Sequence, residues 1–235
     1  MKTVFITGAA KRLGRELAGH LSRSGYRVVA HYHTSESEAR TLQEATGCVL
    51  FRADLSTIPI AELQGRLQEE VGNVDVLVNN ASSFGKSVWR EIHEEMWDAE
   101  MSVNLKIPFF LMQYFGTRMK AAGHGKILNM VDIAAERPYL PYLPYSIAKA
   151  GLVSATRAMA RALAPEVQVN AIAPGTILFV EGMPETAQQK ALEKIPAGRT
   201  ATIEEYLKTV DFLLSGVDYI TGQVLTLDGG RSLTW

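Results

Sequence analysis

The chain holds a single cysteine, Cys48, and no run of 18 consecutive apolar residues. One thiol cannot close an internal disulfide, which fits a reducing, cytoplasmic setting. Without a long apolar run, no transmembrane helix is expected. Charge of neither sign prevails: 24 Lys and Arg stand against 25 Asp and Glu, a net charge of −1. No basic surface for nucleic acid is expected, and no metal site is predicted. The opening "MKTVFITGAAKRLG" runs straight into strand-like sequence, without the apolar region and small-residue cleavage site of a secretory leader. No repeat, linker or low-complexity segment interrupts the chain.

What is present is apolar bulk. Hydrophobic residues make up 47 % of 235 positions, enough for one sizeable core and a single domain spanning 1–235. Short β-branched runs alternate with longer amphipathic ones. Strands are predicted at "TVFIT" (3–7), "YRVVAH" (26–31), "CVLFRA" (48–53), "VDVLVNN" (74–80), "KILNMV" (126–131), "VQVNAIA" (167–173) and "QVLTLD" (223–228). Helices are predicted in "LGRELAGHLSRSG" (13–25), with Leu13, Leu17, Ala18 and Leu21 on one face, and near 36–45, 59–71, 94–121, 143–163 and 203–214, with a kink at Pro108. Cys48 belongs to a buried strand. Seven apolar strands alternating with six helices specify an α/β fold, a seven-stranded parallel sheet with helices on both faces. The stretch 175–202 has no clear period. It follows a strand's C-terminal end, where such sheets bind ligands, and reads as a substrate lid.

"TGAAKRLG" (7–14) lies between the first strand and the first helix. Gly8 and Gly14 have the spacing of the outer glycines of a dinucleotide loop, with Arg12 at the middle position. The same pattern also serves a plain strand-to-helix turn. At the end of the second strand stands "HYHTSE" (31–36), with no acid before Glu36. An NAD site usually places an acid there for the ribose 2′-hydroxyl. His33, Thr34 and Arg12 instead offer donors and positive charge to a 2′-phosphate, so NADPH is the predicted cofactor. Asp54, after the third strand, can accept from the adenine amine, cap the next helix, or do both.

"YSIAK" (145–149) opens a helix, and positions four apart share a face. Tyr145 and Lys149 can therefore reach one ligand. A nearby ammonium and a helix N-terminus are expected to lower the Tyr145 pKa toward the phenolate. The spacing alone is also common on solvated helix faces. Asp132 lies thirteen residues before Tyr145, as an acid beside the pair or as a strand-end cap.

Taken in order, "TGAAKRLG", "NNA" (79–81), Asn104, Tyr-x-x-x-Lys, "PG" (174–175) and "LDGG" (227–230) resemble the short-chain dehydrogenase/reductase superfamily over almost the whole chain. "HYH", "NNASSF", the Asp before the Tyr and "YLPYS" resemble its pteridine reductase branch, and the tail resembles the bacterial dihydromonapterin reductases. The resemblance implies a Rossmann fold, NADPH, a homotetramer and reduction of a dihydropterin, with folate accepted in some members. It implies Tyr145, Lys149, Asn104 and Asp132 as catalytic residues. In that family the Asn holds a water linking the Lys to solvent. The implied cofactor site comprises Gly8, Arg12, Leu13 and Gly14; His31, Tyr32, His33, Thr34 and Ser35; Asp54 and Leu55; Asn80, Ala81 and Ser82; Tyr145 and Lys149; and Pro174 and Gly175. Arg12, Ser82, Phe84, Asp132, Tyr142 and Tyr145 are the implied pterin contacts, with Phe84 stacking on the flat ring. Most superfamily members reduce C=O with the help of a Ser hydroxyl. A pterin presents C=N, whose nitrogen must gain a proton, and an acid at Asp132 answers that need. Two positions depart from the branch: Thr34 replaces an Arg that grips the 2′-phosphate, and "TIL" follows "PG" where a Ser is common. The rival readings are a carbonyl or 3-oxoacyl reductase on the same fold and a non-catalytic NADP-sensing protein.

Overall fold

The computed structural model describes residues 1–180 and 182–234; Glu181, inside the expected lid, lies outside them. The first half of the chain alternates β1 (Thr3–Ile6), α1 (Arg12–Arg23), β2 (Arg27–Tyr32), α2 (Glu36–Thr46), β3 (Val49–Arg52), α3 (Ile60–Arg66) and β4 (Val76–Asn79). The second half runs α4 (Glu94–Met101), α5 (Ile107–Ala122), β5 (Gly125–Met130), α6 (Leu143–Leu163), β6 (Val167–Pro174), α7 (Glu185–Leu192), α8 (Ile203–Asp211) and β7 (Val224–Leu227). The strands form one sheet in the order β3-β2-β1-β4-β5-β6-β7. Every pairing is parallel, so the chain has the Rossmann fold.

The alternation of side chains along a strand explains the layers. Phe5 of β1 enters one core with Val29, Phe51, Leu111, Phe115 and Leu152. Its neighbours Val4 and Ile6 enter the opposite core with Leu17, Leu21, Val78, Ile172 and Tyr206. Both sheet faces are thus buried, which is why the strands read as continuous apolar runs.

Two differences from the sequence pattern have local causes. The predicted helix 94–121 is broken by a π-helical turn, Ser102–Lys106, just ahead of Pro108. Pro108 has no N–H for the carbonyl four residues back, that of Asn104, and a wider turn in which Ile107 N–H reaches Ser102 C=O takes up the mismatch. The stretch 175–202 contains α7, whose side chains include no fully buried residue. A helix without a buried stripe leaves no clear period in the sequence. By contrast α8 is announced by Thr202 and Glu205, which form a reciprocal capping box.

The order reverses between β1 and β4: β2 and β3 lie to one side of β1, and β4 to β7 to the other. Ligands bind such sheets at this switch, beyond the C-terminal strand ends. Register brings the relevant ends level there, with Ile6 opposite Val78, Asn79 opposite Asn129, Met130 opposite Ile172 and Pro174 opposite Leu227.

Candidate active site

The glycine loop leaves β1 and enters α1. Gly8 takes φ +65°, and a side chain on Gly14 would collide with the Gly8 carbonyl at 2.1 Å. Asn80, just past β4, closes the loop from the other side, its Nδ2 donating to the carbonyls of Thr7 (2.9 Å) and Gly8 (3.0 Å). The backbone N–H of Ala81 donates to Thr7 Oγ1 at 2.9 Å. Lys11, the cap residue of α1, gives no side-chain cap, and the first turn carries no acid. A helix N-terminus so arranged fits a pyrophosphate.

His31 is turned inward. It is 3 % exposed, its Nδ1 accepts from Gly8 N–H at 3.0 Å, and its Nε2 faces the Ala53 carbonyl at 3.1 Å. Burial holds its pKa down, to about 4. The ring thus braces the loop and does not face a ligand. Tyr32 and Leu55 are likewise buried, and Leu13 packs on the α1 core. His33, Thr34 and Ser35 stand at the open end of β2, and Glu36 is occupied by Arg40 at 2.7 Å. Asp54 accepts from Ser56 N–H and the hydroxyls of Ser56 and Thr57, and lies 3.7 Å from His33. It therefore caps its own turn at the edge of the site. These residues fit a nicotinamide dinucleotide.

Beyond β5 and β6 opens a cavity of about 320 Å³ lined by Arg12, Phe84, Asp132, Tyr139, Tyr145 and Arg231, by Pro174 and Gly175, and by apolar residues of 176–191. Its volume suits a small flat molecule. Asp132 divides its two oxygens. Oδ1 accepts from Ala134 N–H at 2.7 Å and caps a short turn; Oδ2 accepts from the Tyr145 hydroxyl at 2.8 Å. Both positions foreseen for Asp132, beside the Tyr–Lys pair and at a cap, are occupied at once.

The expected lowering of the Tyr145 pKa is overturned. Tyr145 is 5 % exposed, and burial first, then the Asp132 carboxylate, push it up. The Lys149 ammonium, 2 % exposed, lies 5.5 Å from the Tyr145 ring centre and donates to the Met130 carbonyl at 2.8 Å. Burial lowers Lys149 to about 8, against the opposing pull of Asp132 and Glu100. Asp132 is itself raised, by burial above all. Tyr145 is therefore held as the neutral, protonated phenol.

Phe84 lies parallel to Tyr142, with centroids 3.9 Å apart and planes at 8°, and edge-on to Tyr145 at 4.7 Å. Phe84 is 45 % exposed and lines the cavity, so part of its wall is aromatic. Asn104 is fully buried, and its Oδ1 accepts from Ser82 Oγ at 2.8 Å. Arg12 is the only non-glycine among the described residues with positive φ, at 51°. Its guanidinium donates to the carbonyls of Leu178 (3.2 Å) and Phe179 (3.3 Å). A strained backbone at this place implies a use for the side chain, and here it ties the glycine loop to the 175–202 stretch.

Tyr139, Arg231 and Glu100 belong to the neighbourhood without any sequence prediction. Arg231 directly follows the quoted "LDGG". Glu100 stands four residues before Asn104 on the same helical run, a spacing that places two side chains on one face. Asn129 is another: it accepts from Asn79 Nδ2 at 2.8 Å and donates to Thr156 of α6 at 2.9 Å, joining the sheet to the helix of Tyr145 and Lys149.

A family model described as enoyl-(acyl carrier protein) reductase matches residues 8–232. Pteridine reductase 1 of Leishmania tarentolae is 34 % identical over 277 residues, covering 98 % of this chain and 96 % of its own. The 3-oxoacyl-[acyl-carrier-protein] reductase FabG of Thermotoga maritima is 33 % identical over 240 residues, covering 97 % of each. The structure of FolM alternative dihydrofolate reductase 1 from Brucella suis, in complex with NADP, superposes with a TM-score of 0.91 at 29 % identity, covering 100 % of this chain and 96 % of that one. With the fold, the glycine loop and the Tyr145–Lys149–Asp132 cluster in place, the chain belongs to the short-chain dehydrogenase/reductase oxidoreductases and, within them, to the pteridine reductase branch.

Proposed function

We propose that the chain reduces dihydropterins to tetrahydropterins with NADPH, and that dihydrobiopterin, dihydromonapterin and dihydrofolate are the substrates to try first. The hydrogen bond between Tyr145 and Asp132, set in a cavity with a partly aromatic wall, carries this reading. The NADP complex of the Brucella protein supports the cofactor, as do the acid-free end of β2 and the uncapped start of α1. His33, Thr34 and Ser35 would hold the 2′-phosphate, and the glycine loop the pyrophosphate.

When bound, the cofactor supplies a hydride. The remaining chemistry is one proton: as the C=N bond becomes C–N, the ring nitrogen takes the pair and must be protonated. Tyr145 is placed to donate it. In the absence of substrate its O–H is committed to Asp132. A protonated Asp132 reverses that bond, donating to the Tyr145 oxygen and freeing the tyrosine proton for the substrate. Burial, which raises the Asp132 pKa, favours this state. Lys149 keeps a positive charge beside the pair, and the Asn104 carbonyl, deprived of its α-helical donor by Pro108, can hold a water leading to solvent. Phe84 would stack on the pterin, Tyr142 would back it, and Ser82 and Arg12 would reach its polar edge. Residues 175–202 would close over it as a lid held by Arg12.

The competing activity is reduction of a 3-oxoacyl thioester, supported by the comparable identity to FabG. Asp132 stands against it, because a buried carboxylate occupies the place where a neutral hydroxyl would donate to a carbonyl oxygen. Following NADPH absorbance with dihydrobiopterin, dihydrofolate and acetoacetyl-CoA separates the two. Turnover of a dihydropterin with kcat/KM well above that for acetoacetyl-CoA is expected; the reverse order overturns the proposal. The proposal includes a cytoplasmic homotetramer, the assembly being checked by light scattering.

A further inference from the structure

Glu100, in α4, is 5 % exposed, although a lone carboxylate is costly to bury. Three neutral donors converge on it. Oε1 accepts from Gly85 N–H at 2.8 Å, and Oε2 accepts from Ser83 Oγ at 3.0 Å and Asn104 Nδ2 at 2.9 Å. The amide of Asn104 also donates to Ser83 Oγ at 2.9 Å. Every proton in this ring of contacts is supplied by a partner of Glu100, so the network closes with the carboxylate as acceptor only. Gly85 makes the approach possible, since a side chain there would lie 2.8 Å from Oε1. Between Ser83 and Gly85 sits Phe84, the aromatic wall of the cavity.

We propose that Glu100 is a positioning residue that clamps the 82–85 loop against Asn104 and so fixes Phe84 where the flat substrate ring is received. The inference rests on the dihydropterin reading. Glu100 also acts on the proton machinery from a distance. The groups facing Lys149 are Asp132 beyond β5, Glu100 from α4 and the Tyr145 ring on its own helix. Both carboxylates favour its charged form, against burial.

Glu100→Gln separates these effects from mere packing. Whichever way the amide turns, its NH2 meets another donor, either Gly85 N–H or the Ser83–Asn104 pair. KM for dihydrobiopterin should rise by about tenfold, as for a lost hydrogen bond to a charged group, with KM for NADPH changed by no more than about twofold. Loss of the charge should also move the basic limb of the pH–rate profile to lower pH. Glu100→Asp keeps the charge but not the reach, so it should raise KM and leave the limb in place. Wild-type KM and an unmoved limb in Glu100→Gln overturn the proposal. Should Glu100→Gln fail to fold, Ser83→Ala and Gly85→Ala test the same clamp, and wild-type KM in both overturns it. If the wild-type protein reduces acetoacetyl-CoA and no dihydropterin, the functional reading has failed. The limb is then read with acetoacetyl-CoA, and an unmoved limb in Glu100→Gln defeats this inference as well.

Discussion

Replacing Asp132 by Asn should inactivate the protein without weakening its fold. The isosteric amide can still accept from Ala134 N–H, the 2.7 Å bond that caps the turn. It presents NH2 to Tyr145 or loses the bond, and in neither orientation can it pass on an acid proton. A bond to a carboxylate is worth about 1.5–3 kcal/mol, and loss of a general acid lowers rate by about 10²–10⁴-fold. Turnover of dihydrobiopterin should therefore fall by at least about 10²-fold, about 2.7 kcal/mol in the barrier. Stability should move the other way. Burial raises the Asp132 pKa above its ordinary 3.8, outweighing Ala134 N–H, Tyr145 O–H and Lys149. The folded chain then holds this proton more tightly than the unfolded chain. Stability contributed by the group is lost as pH rises through 3.8 toward the folded value, and above that value the buried charge is a net cost. Asn carries no such cost, so Tm at neutral pH should be unchanged or higher, by about 2–4 °C for each kcal/mol regained. The wild-type rate should fall as pH rises through the apparent pKa of the Asp132–Tyr145 pair, a value belonging to both groups. Asp132 also helps to hold Lys149 up at about 8, so residual activity in Asp132→Asn should lose its basic limb at lower pH. The assays are NADPH oxidation across the pH range and thermal unfolding of both proteins. Wild-type turnover with an unchanged profile would refute the role of Asp132 as acid. A large fall in Tm would refute the claim that its charge is paid for by function rather than stability.

Tyr145→Phe removes one hydroxyl from a buried site and should cut turnover by on the order of 10²-fold or more while NADPH binding, followed by fluorescence titration, persists. Arg12→Ala should weaken NADPH and dihydropterin together and expose the stretch around Leu178 and Phe179 to limited proteolysis, since the two carbonyl contacts are lost; unchanged cleavage and affinity would remove Arg12 from both tasks. Gly14→Ala would bring Cβ to 2.1 Å from the Gly8 carbonyl and 2.7 Å from Asn80, so NADPH binding should be lost in a titration. NADPH should exceed NADH in kcat/KM, and preference for NADH would sink the assignment of His33, Thr34 and Ser35.

The sequence by itself determined the frame. Seven apolar runs at strand spacing, separated by amphipathic stretches, admit one kind of sheet, and local periodicity survives because each strand is buried on both faces. Gly8, Gly14, Tyr145 and Lys149 were legible because the glycines bracket a strand-to-helix turn and the Tyr–Lys pair stands one helical turn apart, whereas Asn80 came from the family resemblance. Tertiary structure decided what depends on neighbours distant in the chain. The direction of the Tyr145 shift follows from desolvation and from a carboxylate thirteen residues away, neither visible in a Tyr–Lys spacing. His31 was legible as a strand-end residue, yet only the packing of β3 against β2 turns its ring onto Gly8 and Ala53. Arg12 reaches carbonyls 166 and 167 positions away, and Glu100 meets Ser83 and Gly85 across the mouth of the sheet. Local pattern encodes which backbone forms; burial and hydrogen-bond partners, which set protonation and orientation, exist only once the chain has closed on itself.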